Sequence, residues 1–179
     1  MNNNNKETDG AQSSRETFTV TEVSDGVNKF LKYAGYQLQP SEYIGFVRPQ
    51  IHTKKESGAN TYQLICVVRQ GMDEAINGFT DLMAIKAVIG DSADYILVLP
   101  PVSEYLMIEF LTEERGQWFF EIKQQEFMIW LCNPDRETTT CLIGSPRDKP
   151  LNQYFAAGSV MSFDMYINMK LSQLIWDEE

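Results

Sequence analysis

The spacing of apolar residues along the chain predicts where helices form. Residues three and four positions apart share one helix face, so a run with this spacing places that face against a core. The clearest run predicts a long helix over 72–90, and Asp73 and Glu74 stand at the end where the helix dipole favours acids. Further helices are predicted over 24–35 with Ser24 or Asp25 as N-cap, over 103–114 and over 150–157. The segment 164–176 suits an amphipathic helix, but its stretch 165–169 also suits a strand, so both alternatives stay open there.

Short runs of β-branched and apolar residues predict the strands. The run 61–69 is a strong strand, and the extended segment 43–52 pairs with it as an antiparallel hairpin across the polar turn 56–60. The almost wholly apolar run 93–100 indicates a strand buried on both faces. Because the long helix separates two strands, a right-handed crossover between parallel strands is expected. A second hairpin is predicted from 118–123 and 127–132, and one more strand over 138–143.

This element order predicts a single α/β domain with a mixed central sheet flanked by helices. The chain has 179 residues, of which 43% are hydrophobic and 22% charged, as is usual for globular proteins. Residues 1–15 are rich in Asn, Gln, Ser and Gly, which predicts a disordered tail ahead of a domain over 16–179. Core packing explains most of the aromatic residues in 118–132. Some of them, together with Trp176, are expected to leave an apolar patch for a partner.

The charge balance narrows the classes of partner. Fifteen Lys and Arg stand against 25 Asp and Glu, for a formal net charge of −10, so nucleic acid remains a candidate partner but is not favoured. The apolar runs are too short for a bilayer span, and the start of the chain lacks the apolar segment of a signal peptide. Cys66, Cys132 and Cys141 form no Cys-x-x-Cys pair, which indicates free thiols. A cytoplasmic protein without membrane contact is predicted.

Three local strings carry a resemblance to a known family. They are Phe46-Val-Arg-Pro-Gln50, Leu64-Ile-Cys-Val-Val-Arg-Gln-Gly71, and the helix-to-strand stretch 81–100. Together with the element order over about 27–99, they resemble the PD-(D/E)xK nuclease fold of many restriction endonucleases and repair nucleases. The resemblance implies a restriction-endonuclease-like core. It also implies that active members use two acids to hold a divalent metal and a lysine to position or activate the attacking water.

The residues at the motif positions depart from this pattern. Gln50 stands in place of the first acid, Val67 in place of the second and Arg69 in place of the lysine. Magnesium prefers anionic oxygen ligands, whereas Gln50 offers a neutral carbonyl and Val67 offers nothing. Arg69 keeps its proton at any ordinary pH, so it is a poor proton-transfer group. Asp81 and Ile85 stand where some relatives carry Gln and Tyr on the next helix, so the resemblance implies the fold more strongly than the activity.

Other carboxylates offer a substitute set of metal ligands. Asp73, Glu74 and Asp81 follow the central strand and are the candidates for relocated acids. Acids in a first helical turn are also common without any function, because the helix dipole favours them there. If the three converge, a magnesium-dependent nuclease is predicted; otherwise no cofactor is expected.

A group of basic residues lies on the first predicted hairpin. Together with Gln50, these side chains are candidates for binding phosphate or another acidic partner, or else form an ordinary charged strand edge. His52 is the single histidine and lacks metal-ligand spacing, so a strand-end surface position is expected. The Arg69 side chain is expected either to form an ion pair with Asp73 or Asp81 or to face a cleft. The basic residues of the hairpin are Arg48, Lys54, Lys55 and Arg69.

The leading hypothesis is a non-catalytic, nuclease-derived binding or assembly module. Its partner is an unidentified protein or a second copy of the chain in a homodimer. One alternative is a metal-dependent nuclease with relocated carboxylates. The other is an unrelated small-molecule-binding α/β protein, which a deep apolar pocket would favour.

Overall fold

The structure is a computed structural model that describes residues 17–156 and 160–176. The predicted tail over 1–15 and the side chain of Trp176 lie outside the described residues. The helices are α1 (Val20–Tyr33), α2 (Ala75–Ile89), α3 (Glu104–Thr112), α4 (Gln117–Gln125) and α5 (Val160–Trp176). The strands are β1 (Gln37–Leu38), β2 (Ile51–Ser57), β3 (Asn60–Val68), β4 (Asp94–Leu99), β5 (Met128–Asn133) and β6 (Thr138–Ile143).

The strands form one six-stranded mixed sheet in the order β1-β2-β3-β4-β5-β6. Both β3 with β4 and β4 with β5 pair in parallel, and the outer pairs are antiparallel. The parallel strands on either side of α2 are therefore confirmed. The first hairpin also forms, but its first strand is Ile51–Ser57 and not 43–52, and its turn is 58–59 and not 56–60. The result is a single α/β domain with a mixed six-stranded sheet flanked by helices, as predicted.

The sheet separates two clusters of buried apolar side chains. Consecutive residues of β3 alternate between them, since Ile65 and Val67 belong to one cluster and Cys66 and Val68 to the other. The first cluster packs the sheet against α2 to α5, and the second packs it against α1. Burial on both faces explains why the central strands read as nearly continuous apolar runs. None of the helices between residues 17 and 176 that the structure describes is long and apolar enough to cross a membrane.

Helix α1 begins earlier than the sequence pattern predicts. Its N-cap is Thr19, and neither Ser24 nor Asp25 caps it. The Thr19 hydroxyl accepts from the Glu22 backbone N–H at 3.1 Å, and the Glu22 carboxylate accepts from the Thr19 backbone N–H at 2.8 Å. This reciprocal capping box satisfies two otherwise unpaired N–H groups at the start of the helix.

The aromatic stretch after α3 is a helix, so the predicted second hairpin of 118–123 with 127–132 is wrong. Over so short a stretch, the same apolar residues fit both the two-residue period of a strand and the 3.6-residue period of a helix. In the structure, Phe119 and Ile122, three positions apart, both face the core, as in a helix. Gly116, with φ of +80°, precedes α4; a Cβ there would lie 2.6 Å from a methyl carbon of Leu171 on α5. The hairpin in this region instead joins β5 to β6.

The remaining predicted elements differ mainly at their ends. The predicted helix over 150–157 is a short 3-10 segment, Lys149–Gln153. Of the two alternatives for the C-terminal segment, the structure has the helix, α5, which places Ile167 and Leu171 in the core. The predicted long helix 72–90 consists of a 3-10 turn, Met72–Glu74, followed by α2.

Candidate functional site

The motif positions of β2 and β3 lie side by side. The register pairs Ile51 with Cys66, so Gln50 comes next to Val67 and Val68. The Gln50 side-chain oxygen accepts from the Val68 backbone N–H at 2.8 Å. Val67, in place of the second acid, is 1% exposed within the core cluster beneath α2. Gln50, at the position of the first acid, therefore satisfies a backbone N–H, and Val67, at the position of the second acid, is packed in the core.

Arg69 directs its guanidinium to acceptors on the protein itself. Its Nε donates to Asn77 Oδ1 at 3.0 Å, and its Nη1 donates to the Val68 carbonyl at 3.0 Å, with Gln50 Oε1 at 3.5 Å. Its Nη2 forms an ion pair with Asp81, as predicted for one of the two candidate acids. The side chains of Arg69 and Asp81 are 14% and 28% exposed. We call Gln50, Arg69, Asn77 and Asp81 the Arg69 clasp.

The close approach of α2 to the sheet makes this clasp geometrically possible. Asn77 and Asp81 are four residues apart and so share one face of α2. Gly78 lies between them, where a Cβ atom would stand 2.6 Å from Leu97 Cδ1 and 3.3 Å from Arg69 Cγ. Because glycine has no side chain, α2 can lie this close to β4. The close approach brings Asn77 and Asp81 within reach of the Arg69 guanidinium.

The candidate relocated acids do not converge. Asp73 is exposed, Glu74 accepts from the Gln70 backbone N–H at 3.1 Å, and Asp81 belongs to the clasp. Within residues 17–156 and 160–176, no three His, Cys, Asp or Glu side chains are grouped so as to hold a metal ion. Gln50, Val67 and Arg69 contribute no carboxylate, and that of the neighbouring Asp81 is already paired with the Arg69 guanidinium. This donor set does not fit a divalent metal, which needs several anionic oxygens.

A crevice of about 380 Å³ lies beyond the carboxyl ends of β3 and β4. Open α/β sheets often bind ligands at this end of parallel strands. Its lining includes Asp73 and Glu74 on one side and Pro101 and Ser103 on the other. This mixed lining differs from the deep apolar pocket that would favour the small-molecule hypothesis.

The basic residues of the first hairpin are divided between different surroundings. Arg48 is exposed, and its Nε donates to the Ser41 carbonyl at 3.2 Å. Lys54 and Lys55 are neighbours on β2 and so point to opposite faces of the sheet. Lys54 is exposed, whereas Lys55 donates to Asp148 at 3.0 Å. Arg69 alone among the four reaches the motif positions, where Asp81 compensates its charge.

Lys55 belongs to a buried polar cluster that no sequence pattern indicates. Asp148 is 1% exposed and accepts from the Tyr36 hydroxyl at 2.7 Å as well as from Lys55. Burial, with the hydrogen bond to Asp148 adding to it, raises the pKa of the Tyr36 hydroxyl far above its ordinary value. Tyr36 and Asp148 are 112 positions apart, so only the tertiary fold brings them together. The cluster anchors the segment after β6 against β2 and the link between α1 and β1.

His52 is the second residue of β2, so it lies near a strand end as expected, but it is half-buried and not an exposed surface residue. Its Nε2 accepts from the Gln63 side-chain amide at 2.7 Å, which requires a neutral ring. Burial, and to a smaller extent the nearby Lys54 charge, lower the pKa of His52. The imidazole contributes a cross-strand hydrogen bond and belongs to no group of three or more potential metal ligands among the described residues.

The three cysteines are buried free thiols, as predicted. Burial raises the pKa of the Cys66 thiol far above its ordinary range and also raises the pKa of Cys132. A nucleophilic cysteine needs an accessible thiolate, so this environment does not suit one.

Comparison with known proteins yields a partial likeness in backbone only. No protein-family model matches the chain, and no curated protein matches it. Solved structures with a partly similar backbone include an XisH family protein from Nostoc punctiforme PCC 73102, with 11% identity and a TM-score of 0.47. Another is an fdxN element excision controlling factor protein from Anabaena variabilis, with 12% identity and a TM-score of 0.44. Each similarity covers 66% of this chain and 95% of the other chain. Similarities of this size have no bearing on function.

Proposed function

We propose that the protein is a non-catalytic binding and assembly module on a degenerate PD-(D/E)xK nuclease scaffold, acting in the cytoplasm without a cofactor. The Arg69 clasp carries this proposal. Phosphodiester hydrolysis by this family's chemistry depends on metal-bound carboxylates, and the motif positions hold Gln50, the buried Val67 and a paired Arg69. These residues tie β2, β3 and α2 together.

The same clasp makes the motif positions a poor anion site. A guanidinium binds phosphate well when its N–H fork is available and its charge is uncompensated. In Arg69, every guanidinium nitrogen donates within the protein, and Asp81 compensates the charge. A phosphate would have to displace the carboxylate, so we expect the partner to bind elsewhere on the molecule.

A cleavage assay tests the non-catalytic part of the proposal. The purified full chain is incubated with single- and double-stranded DNA and RNA in Mg²⁺ or Mn²⁺, and no cleavage is expected. Asp73→Asn, Glu74→Gln and Asp81→Asn serve as site variants, with Glu104→Gln on α3 as the matched control. Metal-dependent cleavage that any site variant abolishes and Glu104→Gln retains would establish the nuclease with relocated acids instead.

The assembly part concerns a homodimer, for which the exposed apolar face of α5 is the candidate interface. Met165 and Met169 lie one helical turn apart and are 65% and 49% exposed, beside the partly exposed Tyr166. Light scattering at tens of micromolar concentration is expected to give a dimer mass. A Met165→Glu, Met169→Glu variant is expected to give monomers, whereas Tyr105→Glu on α3 should leave the mass unchanged. A monomeric wild-type chain would contradict the assembly proposal.

A further inference from the structure

A groove of about 600 Å³ runs along α1 on the sheet face opposite the Arg69 clasp. One wall is the α1 stretch from Glu22 to Tyr33, and the other is the β5–β6 turn at 134–137 together with Tyr154. The volume falls in the range of pockets that bind a drug-sized molecule, roughly 300–1,000 Å³. None of the clasp residues lines it.

Close packing beneath α1 gives this groove a firm floor. A Cβ on Gly26 would lie 2.9 Å from Cys132 Sγ, so the helix touches β5 there through its backbone. The Phe30 ring packs edge-on against Trp130, at 6.0 Å between ring centroids, and stacks on Phe155 at 5.4 Å. The aromatic floor is thus held in place before any partner arrives, which lowers the entropic cost of binding.

Carboxylates dominate the rim. Among the described residues, four acids line the groove, Glu22, Asp25, Asp135 and Glu137, together with one cation, Lys29. Glu22 also caps α1, and Glu137 pairs with Lys29. The chain as a whole carries a formal charge of −10, which adds long-range attraction for a cationic partner and repulsion for nucleic acid.

Two tyrosines stand exposed at one end of the groove. Tyr33 is 81% exposed and Tyr154 is 40% exposed, and their rings meet edge to face at 5.6 Å between centroids. An exposed tyrosine face attracts a guanidinium or ammonium group through its quadrupole. An aromatic face beside several carboxylates matches a side chain that is long, partly apolar and positively charged at its end.

We propose that this groove binds a cationic segment of a partner polypeptide, with an arginine or lysine side chain against Tyr33 and its charge among the rim carboxylates. The inference rests on the proposed function in that it gives the binding module its class of partner. It draws on no residue of the clasp, so the two can fail separately.

Fluorescence anisotropy with labelled peptides tests the groove. The full chain is titrated into a short peptide of alternating Arg and Ser, and into a version with Gln in place of every Arg. We expect the Arg peptide alone to bind, and its affinity to fall as salt is raised. Tyr33→Ala and Asp25→Asn are expected to weaken binding about tenfold when combined. The matched controls Tyr105→Ala and Glu104→Gln, on α3 where Tyr105 is 73% exposed, should leave it unchanged.

The outcomes separate the possibilities. Equal binding of the Gln peptide, or an equal loss in groove and control variants, would overturn the proposal. Competition by spermine at the affinity of the Arg peptide would assign the groove to free polyamines and overturn the polypeptide assignment. Circular dichroism spectra and unfolding midpoints identical to wild type are required of each variant. If Tyr33→Ala fails this requirement, Tyr33→Gln takes its place. Peptide binding by a chain that also cleaves nucleic acid would overturn the proposed function and leave the groove standing.

Discussion

Arg69 at the end of β3 and Asp81 on α2 form an ion pair at the place where the nuclease resemblance implies a catalytic lysine. The pair is largely shielded from solvent, and Asn77 and Gln50 accept from the same guanidinium. A charge that would act on substrate in an active nuclease here joins a helix to a strand.

We therefore expect Arg69→Ala to lower the free energy of unfolding by about 2 kcal/mol. Removing one partner of a fully buried pair costs about 3–5 kcal/mol, and the partial exposure of this pair reduces that figure. Urea unfolding followed by circular dichroism measures the change. Arg48→Ala, which removes an exposed arginine just before β2, is the matched control and should have little effect. Equal stability of Arg69→Ala and wild type would show that the clasp is not structural.

Gly78→Ala tests the close approach of α2 to the sheet. Alanine normally favours a helix over glycine by about 1 kcal/mol. Here the added Cβ would stand 2.6 Å from Leu97 Cδ1, so we expect a net destabilisation of about 1–3 kcal/mol, as for other overpacked cores. Thr80→Ala, on an exposed position of the same helix, should stay within about 0.5 kcal/mol of wild type in the same urea assay. A stabilised Gly78→Ala variant would contradict the packing described.

His52 predicts a loss of stability in mild acid. Its pKa is lower in the folded chain than the ordinary value of 6.5, so the unfolded chain takes up a proton first as pH falls. The stability that neutral His52 contributes is fully present above about pH 6.5 and is lost as the pH falls toward the pKa that His52 has in the folded chain. Because His52 is the single histidine, His52→Gln should remove this slope between about pH 7 and 5.5. The readout is the urea midpoint at each pH, and an unchanged slope in the variant would refute the assignment.

The raised pKa of Tyr36 predicts a loss of stability in alkali. Its pKa is raised on folding, so the unfolded chain loses the proton first, and stability falls as pH rises above about 10. The expected contribution of this single group to the slope is about 1.4 kcal/mol per pH unit. Tyr36→Phe should flatten the slope by that amount and lose about 1–2 kcal/mol at neutral pH, since buried Asp148 loses a donor. Tyr43→Phe, at an exposed tyrosine, is the control, and an equal slope in both variants would count against the cluster.

The fold was predictable where the hydrophobic period was unambiguous. The long run before β4 suits only a helix, and the apolar runs around it suit only buried strands, so the crossover from β3 to β4 followed. The segment 118–123 was mispredicted because its six residues are apolar at so many positions that they fit both the helical and the strand period. Only the packing of Phe119 and Ile122 against the core decides between them.

The polar sites were predictable only where their residues are close in sequence. Arg69 and Asp81 are twelve positions apart across one strand–helix turn, so their pairing followed from α2 folding back over the sheet. The Tyr36–Asp148 contact and the groove between α1 and the β5–β6 turn join distant parts of the chain. No local pattern carries that information, because it depends on which elements the sheet order makes neighbours.

The clasp also constrains how this sequence can evolve. An acid at position 67 would bury a carboxylate among core residues, and a lysine at position 69 could not reproduce the several hydrogen bonds of a guanidinium fork. Only position 50 can take an acid cheaply, because Glu there keeps an acceptor for the Val68 N–H. An acid at position 67 or a lysine at position 69 would each destabilise the fold without creating a metal site by itself. Selection for a folded chain is therefore enough to hold positions 67 and 69 in their present state.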